Sequence, residues 1–256
     1  MTPATPTVIG CVVLVCTFGG SLLGMQLRRL VPDEHVSDAA WDTAKLGIGL
    51  VATMTALLLG LVTASAKNTF DDVGDTIQHT AADLLTLDRS LAKYGPGTQK
   101  LREAVKLGVE RRVRMTWPGD GGGGLEQAIA EDTPIIEDIG DRIRALAADS
   151  ESQRDLRARA LGLIDRILES RWLVLSGRRS SIPTLFLAAL TSWLTITFTI
   201  FGVFAPRNAT VVTILFVCAL SVASAVFLIL EMDGPFEGVL RVSPEPLLFA
   251  LSRLGQ

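Results

Sequence analysis

Three carboxylates fall within the stretch LILEMDGPFEG, at Glu231, Asp233 and Glu237, directly after an apolar run and around the pair Gly234-Pro235. Carboxylate oxygens are the donors that a hard cation such as calcium takes, although calcium wants about six to eight oxygens and this segment supplies three side chains plus carbonyls. A plainer reading is available. Gly234 and Pro235 stop a helix, and the acids are solvated or paired with arginines such as Arg241. A second set of residues runs at three- and four-residue steps, Gly49, Thr53, Ala56, Gly60, Thr63 and Lys67, and places small and hydroxyl side chains along one helical face. Leu50, Met54, Leu57 and Leu61 occupy another face. Such a stripe either lets a neighbouring helix approach closely or lines a narrow ion pathway in an oligomer.

Other chemistry is poorly represented. His35 and His79 are the only histidines and belong to no HExxH or HxxxH pattern, so a histidine-based metal centre is not expected. Four consecutive glycines in WPGDGGGG, Trp117 to Gly124, are not followed by GK[ST], which leaves a flexible loop rather than a phosphate cradle. No GxSxG elbow is present. Asp71, Asp72, Asp75, Asp83 and Asp88 lie along one helical segment and read as a solvated face, while Cys11, Cys16 and Cys218 sit inside apolar runs as small hydrophobes. The chain is not expected to be an enzyme, and no nucleic-acid partner is expected.

The elements that would carry these residues follow from composition. The 256 residues are 48% hydrophobic and 20% charged, so the apolar residues must be concentrated rather than spread. Four apolar runs, Thr7 to Leu27, Ala44 to Ala66, Pro183 to Ala205 and Ala209 to Leu230, are each near the roughly 20 residues that cross a bilayer. Gly20 and Gly24 in the first form a small-xxx-small pair, a mark of close helix packing. Between the second and third runs the pattern is helical: Phe70, Val73, Ile77, Leu84, Leu87 and Leu91 share one face, and KYGPG at Lys93 to Gly97 ends that helix. Further helices are predicted from Thr98 to Met115, from Thr133 with Pro134 at its first position, and from Ser152 to Ser176. Arg171, Arg178 and Arg179 read as cytoplasmic anchors beside anionic lipid.

The expected fold is therefore all-α: an integral membrane protein with a transmembrane hairpin over 1–66, a helical cytoplasmic domain over 67–181, a second hairpin over 182–230 and a cytoplasmic tail over 231–256. Lys67, Arg166, Arg171, Arg178, Arg179 and Arg241 outnumber Arg28, Arg29, Lys45 and Arg207 near the span ends, which puts both termini inside. A transporter or membrane enzyme would usually carry ionisable residues within its spans, and none lies well inside these runs.

The segments LVTASAKNTFDD (Leu61 to Asp72), AADLLTLDRSLAKYGP (Ala81 to Pro96), FAPRNATV (Phe204 to Val211) and LEMDGPFEG (Leu230 to Gly238) together resemble the bacterial bestrophin-like domain family. That family is similar to the bestrophins, pentameric ion channels with four membrane helices per subunit, cytoplasmic termini and a helical cytosolic domain between the second and third spans. The resemblance implies an oligomeric ion channel in the cell (inner) membrane, with membrane lipid, inorganic ions and further copies of itself, most simply a pentamer, as partners. It also implies that Glu231, Asp233, Pro235, Phe236 and Glu237 correspond to a post-span Pro-Phe motif beside which animal members hold calcium, the one cofactor to be considered. The other class of function to weigh is a non-conducting membrane scaffold or stress-linked sensor whose helical domain binds partners.

Overall fold

A computed structural model describes residues 4–30, 38–117, 125–177, 184–236 and 238–256, and every regular element among them is helical. The helices are α1 (Ala4–Leu27), α2 (Asp38–Tyr94), α3 (Gln99–Thr116), α4 (Leu125–Arg144), α5 (Glu151–Gly177), α6 (Thr184–Phe204), α7 (Ala209–Met232) and α8 (Glu245–Arg253), with a short 3₁₀ turn at Pro96–Thr98. Among the described residues four of these, α1, α2, α6 and α7, are long and apolar enough to cross a membrane. The helix of the second apolar run continues past Ala66 as expected: α2 is 57 residues long in all and ends at Tyr94, where Gly95 at φ +134° and Pro96 stop it and the Thr98 hydroxyl donates to the Leu91 carbonyl.

The chain divides into two compact units, Met1–Thr69 with Ser180–Val239, and Phe70–Arg179 with Leu240–Gln256. In the first, α1 and α6 touch backbone to backbone: a Cβ on Gly24 would stand 2.0 Å from the Thr199 carbonyl oxygen, and one on Gly202 would stand 2.0 Å from the Ser21 carbonyl oxygen. Only hydrogen at these positions permits the approach. Thr17, Ser21, Thr195 and Thr199 return their hydroxyl protons to carbonyls of their own helices, so the polar groups at this contact are satisfied locally. Below it, Val13, Leu190, Leu194, Ala223, Val226 and Ile229 form a core on which Leu58, Leu59, Val62 and Ala66 of α2 pack. Asn208 caps α7 by accepting from the Val211 N–H, and Arg207 donates to the Met25 carbonyl at the end of α1.

In the second unit the apolar face read from the sequence puts Val73, Ile77, Leu84, Leu87 and Leu91 in the core, while Phe70 at its start is half-buried. α3 contributes Leu101, Val105 and Val109, α4 Ile139 and Ile143, α5 Leu163 and Ile167, and α8 Leu247 and Ala250. The Tyr94 hydroxyl donates to the Ala147 carbonyl at 2.6 Å, tying the end of α2 to the α4–α5 connection.

Several expectations need correction. Thr133-Pro134 does not begin a helix; α4 starts at Leu125 and runs through Pro134, because the preceding LEQAIAE is itself rich in strong helix formers. Residues 231–256 are not a tail. Glu231 and Met232 finish α7, and Leu240–Gln256 folds into the second unit, where α8 is amphipathic enough to bury Leu247 and Ala250. Arg171 is 2% exposed, inside the helical unit rather than beside lipid. The aspartates also separate: Asp71, Asp72 and Asp75 are exposed, Asp83 is half-buried and binds Arg166 through 3.0 and 3.2 Å contacts, and Asp88 is 2% exposed.

Candidate functional site

The first half of α2 is the least covered membrane-length segment of the chain. Of its most apolar 18 residues 11% are buried, against 39% in α1, 22% in α6 and 28% in α7. At about 100° per residue its side chains sort onto three faces roughly 110° apart. One carries Ile48, Thr55 and Ala66, which are buried, with Leu59 and Val62 packed on the core of the same unit. The second carries Leu50, Met54, Leu57 and Leu61, all exposed. The third is the small-residue stripe: Gly49, Thr53, Ala56, Gly60 and Lys67 are exposed and Thr63 is half-buried.

The surroundings of the stripe within the chain can be read from its glycines. A packing face within the chain would place atoms against its glycines, yet a Cβ added at Gly49 or Gly60 would meet nothing within 4 Å. Among the described residues the close approach permitted by small residues occurs instead at Gly24 and Gly202. Its hydroxyls are oriented by the helix: Thr53 donates to the Gly49 carbonyl at 2.8 Å and Thr63 to the Leu59 carbonyl at 2.7 Å. With the protons committed, each hydroxyl oxygen keeps lone pairs as acceptors on the outer face.

The acidic motif is built around one buried carboxylate. Glu231, 3% exposed in the last turn of α7, accepts from the Val239 N–H at 2.5 Å. Gly238 crosses in front of it at φ +82°, and a Cβ there would stand 2.3 Å from Glu231 Oε2. The carboxylate thus closes the turn that follows the span, and glycine at 238 is required both by conformation and by space. Asp233 caps α7, its N–H donating to the Ile229 carbonyl at 3.2 Å. Glu237 lies outside the described residues. Among the described residues no three His, Cys, Asp or Glu side chains are grouped to hold a metal ion. Gly238→Ala is expected to cost about 1–2 kcal/mol from the left-handed backbone alone, before any displacement of Glu231. Thermal unfolding in detergent should show a lower midpoint for Gly238→Ala and a smaller drop for Glu231→Gln, whose amide oxygen can still accept from Val239.

A comparison across protein families matches the Bestrophin-like domain to residues 15–247. The chain belongs to the bestrophin-like family. The matched range takes in α2 with its stripe, the helices α3 to α7 and the Glu231 turn. No curated protein and no solved structure matches the chain. Family membership and the apolar helices make it a membrane protein.

The sequence missed one well-built polar site. Arg102 on α3 holds Asp88 on α2 through two contacts, Nε to Oδ1 at 2.8 Å and Nη2 to Oδ2 at 2.9 Å, while Nη2 also donates to the Gln256 carbonyl at 2.9 Å and the Gly255 N–H donates to Asp88 Oδ2 at 3.4 Å. The hydrogen bonds to Asp88 raise the Arg102 pKa above its ordinary value, outweighing its partial desolvation. The guanidinium therefore stays charged at any pH at which the protein is handled, and the pair is a fixed joint between α2, α3 and the C-terminal segment. A spacing of 14 residues across a helix turn carries no pattern from which the pair could be read.

Proposed function

We propose that this bestrophin-like chain assembles as a homo-oligomeric ion channel in the cell inner membrane, with the small-residue face of α2 lining the pathway. The observation that carries the proposal is the three-way division of α2: one face on its own core, one leucine-rich face and one small polar face, the last two left uncovered by the chain. In a closed ring each subunit has two flanks and one side toward the axis. The leucine face suits contact with the next subunit, and the stripe then turns inward, presenting Thr53 and Thr63 oxygens and the Lys67 ammonium to permeating ions. α1, α6 and α7 surround this helix toward lipid. A pentamer with both termini and the helical unit cytoplasmic is the assembly we favour, on family relationship and on the Lys and Arg distribution around the spans. Glu231 serves as a structural clamp after the last span rather than as a calcium ligand.

Planar bilayers containing the purified protein test the reading. Discrete single-channel steps under a potassium chloride gradient are expected, whereas silence from protein shown by native mass spectrometry to be an intact oligomer would favour a membrane scaffold or sensor instead.

A further inference from the structure

The outer face of α5 changes character along its length. Arg159, Asp165, Arg166 and Glu169 are exposed through the middle turns, as a water-facing helix requires, while Leu163, Ile164 and Ile167 are buried. One turn after Glu169 the same outer face carries Trp172 at 63% and Leu173 at 57% exposure, although the neighbouring Arg171 and Val174 point inward and are 2% exposed. A tryptophan and a leucine on the outside, with an arginine on the inside, is the reverse of what water on that side would select. The sequence then reads RRSSIP over residues 178–183 before α6, one of the four membrane-length helices, begins at Thr184.

We infer that the last turns of α5 lie in the lipid headgroup layer, with Trp172 and Leu173 as an interfacial anchor. Tryptophan suits that layer because its ring is amphipathic, burying an apolar body beside the acyl boundary while the indole N–H stays wet. The occupant is lipid rather than a second copy of the chain for two reasons. The segment is continuous with a helix long and apolar enough to span, and the next charged residues, Arg178 and Arg179, have the sign that anionic headgroups attract. Arg178 and Arg179 lie outside the described residues, and Arg171 is withdrawn into the helical unit. The inference rests on α6 crossing the bilayer but is separable from the ion-channel reading.

Spin labelling of the full chain in nanodiscs of phosphatidylethanolamine and phosphatidylglycerol tests it, in a background with Cys11, Cys16 and Cys218 replaced by serine. Labels at Leu173→Cys, Glu169→Cys and Leu220→Cys are compared for collision with oxygen, which concentrates in lipid, and with a neutral nickel chelate, which stays in water. The anchor predicts that nickel accessibility is lost and oxygen accessibility gained between Glu169 and Leu173. A Leu173 label that collides with nickel as freely as Glu169 overturns the anchor, and so does one shielded from both quenchers, which would place a protein surface there. Leu220, an exposed position on α7, reports the membrane reading separately, because an oxygen-accessible Leu220 beside a water-accessible Leu173 removes the anchor alone. Should the cysteine-free background not fold, brominated lipid offers a second readout. With Trp41, Trp117 and Trp193 replaced by phenylalanine, it should quench the remaining Trp172 emission, and emission unaffected by brominated lipid would contradict the inference.

Discussion

Gly24→Val and Gly202→Val are each expected to abolish the folded membrane unit, the largest effect in the molecule. A side chain at either position meets a carbonyl oxygen of the facing helix at 2.0 Å, and that atom is backbone, so no rotamer change relieves the clash. The α1 and α6 axes must move apart, which withdraws Thr17, Ser21, Thr195 and Thr199 from a contact made by small residues along its whole length. Ordinary overpacking costs about 1–3 kcal/mol when side chains can yield, and these two sites exceed that range because none can. Size-exclusion profiles and thermal melts in detergent should show aggregated or early-melting protein for both variants. Gly60→Leu on α2 is the control: a Cβ at that position would meet no atom of the same chain within 4 Å, so an isolated subunit should tolerate it. Melts of Gly24→Val that match the wild type would show that α1 and α6 do not pack as described.

The second large effect is expected at Arg102. Arg102→Met leaves the Asp88 carboxylate 2% exposed with its main partner removed, and breaking one side of a buried pair costs about 3–5 kcal/mol. The joint among α2, α3 and the Gly255–Gln256 segment should loosen with it. Denaturant unfolding of the helical unit, followed by circular dichroism in detergent, should shift to lower denaturant in Arg102→Met. The double variant Arg102→Met with Asp88→Leu should recover much of the loss, since it replaces a stranded charge with apolar volume. Raising the pH is expected to leave the pair intact across the working range, because the arginine pKa is raised and a stabilising contribution of that sign is lost only above it.

Much of this organisation was legible because it is periodic. The apolar face from Val73 to Leu91 repeats at three and four residues, and the membrane runs are long enough to stand out from composition alone. Gly20 and Gly24 announced a close helix contact but not its partners, which are Thr195 and Thr199 of α6, with Gly202 admitting Ser21 of α1 alongside. What escaped is non-local. Asp88 shares its helix with exposed aspartates but falls on the buried face, where an arginine from the next helix meets it. Arg171 sits one residue before Trp172, and a step of one residue along a helix turns the side chain by about 100°, enough to exchange core for surface. Helix α8 was hidden by its nine-residue length, which is too short for periodicity to separate from a tail. The stripe from Gly49 to Lys67 is legible as a stripe, yet only the structure shows that nothing among the described residues stands within 4 Å of a Cβ at Gly49 or Gly60.

Lys67 is the one charged member of that stripe, so it carries the pathway assignment most directly. Lys67→Glu exchanges one positive charge for one negative charge in every subunit, and in a ring these changes sum at a single level of the pore. The measurement is the reversal potential of Lys67→Glu channels in planar bilayers under a potassium chloride gradient, on protein shown to retain the wild-type oligomeric mass. The account predicts a reversal potential displaced toward that of potassium relative to wild type. An intact Lys67→Glu oligomer with wild-type conductance and an unchanged reversal potential would contradict it, and would take the small-residue face of α2 off the ion pathway.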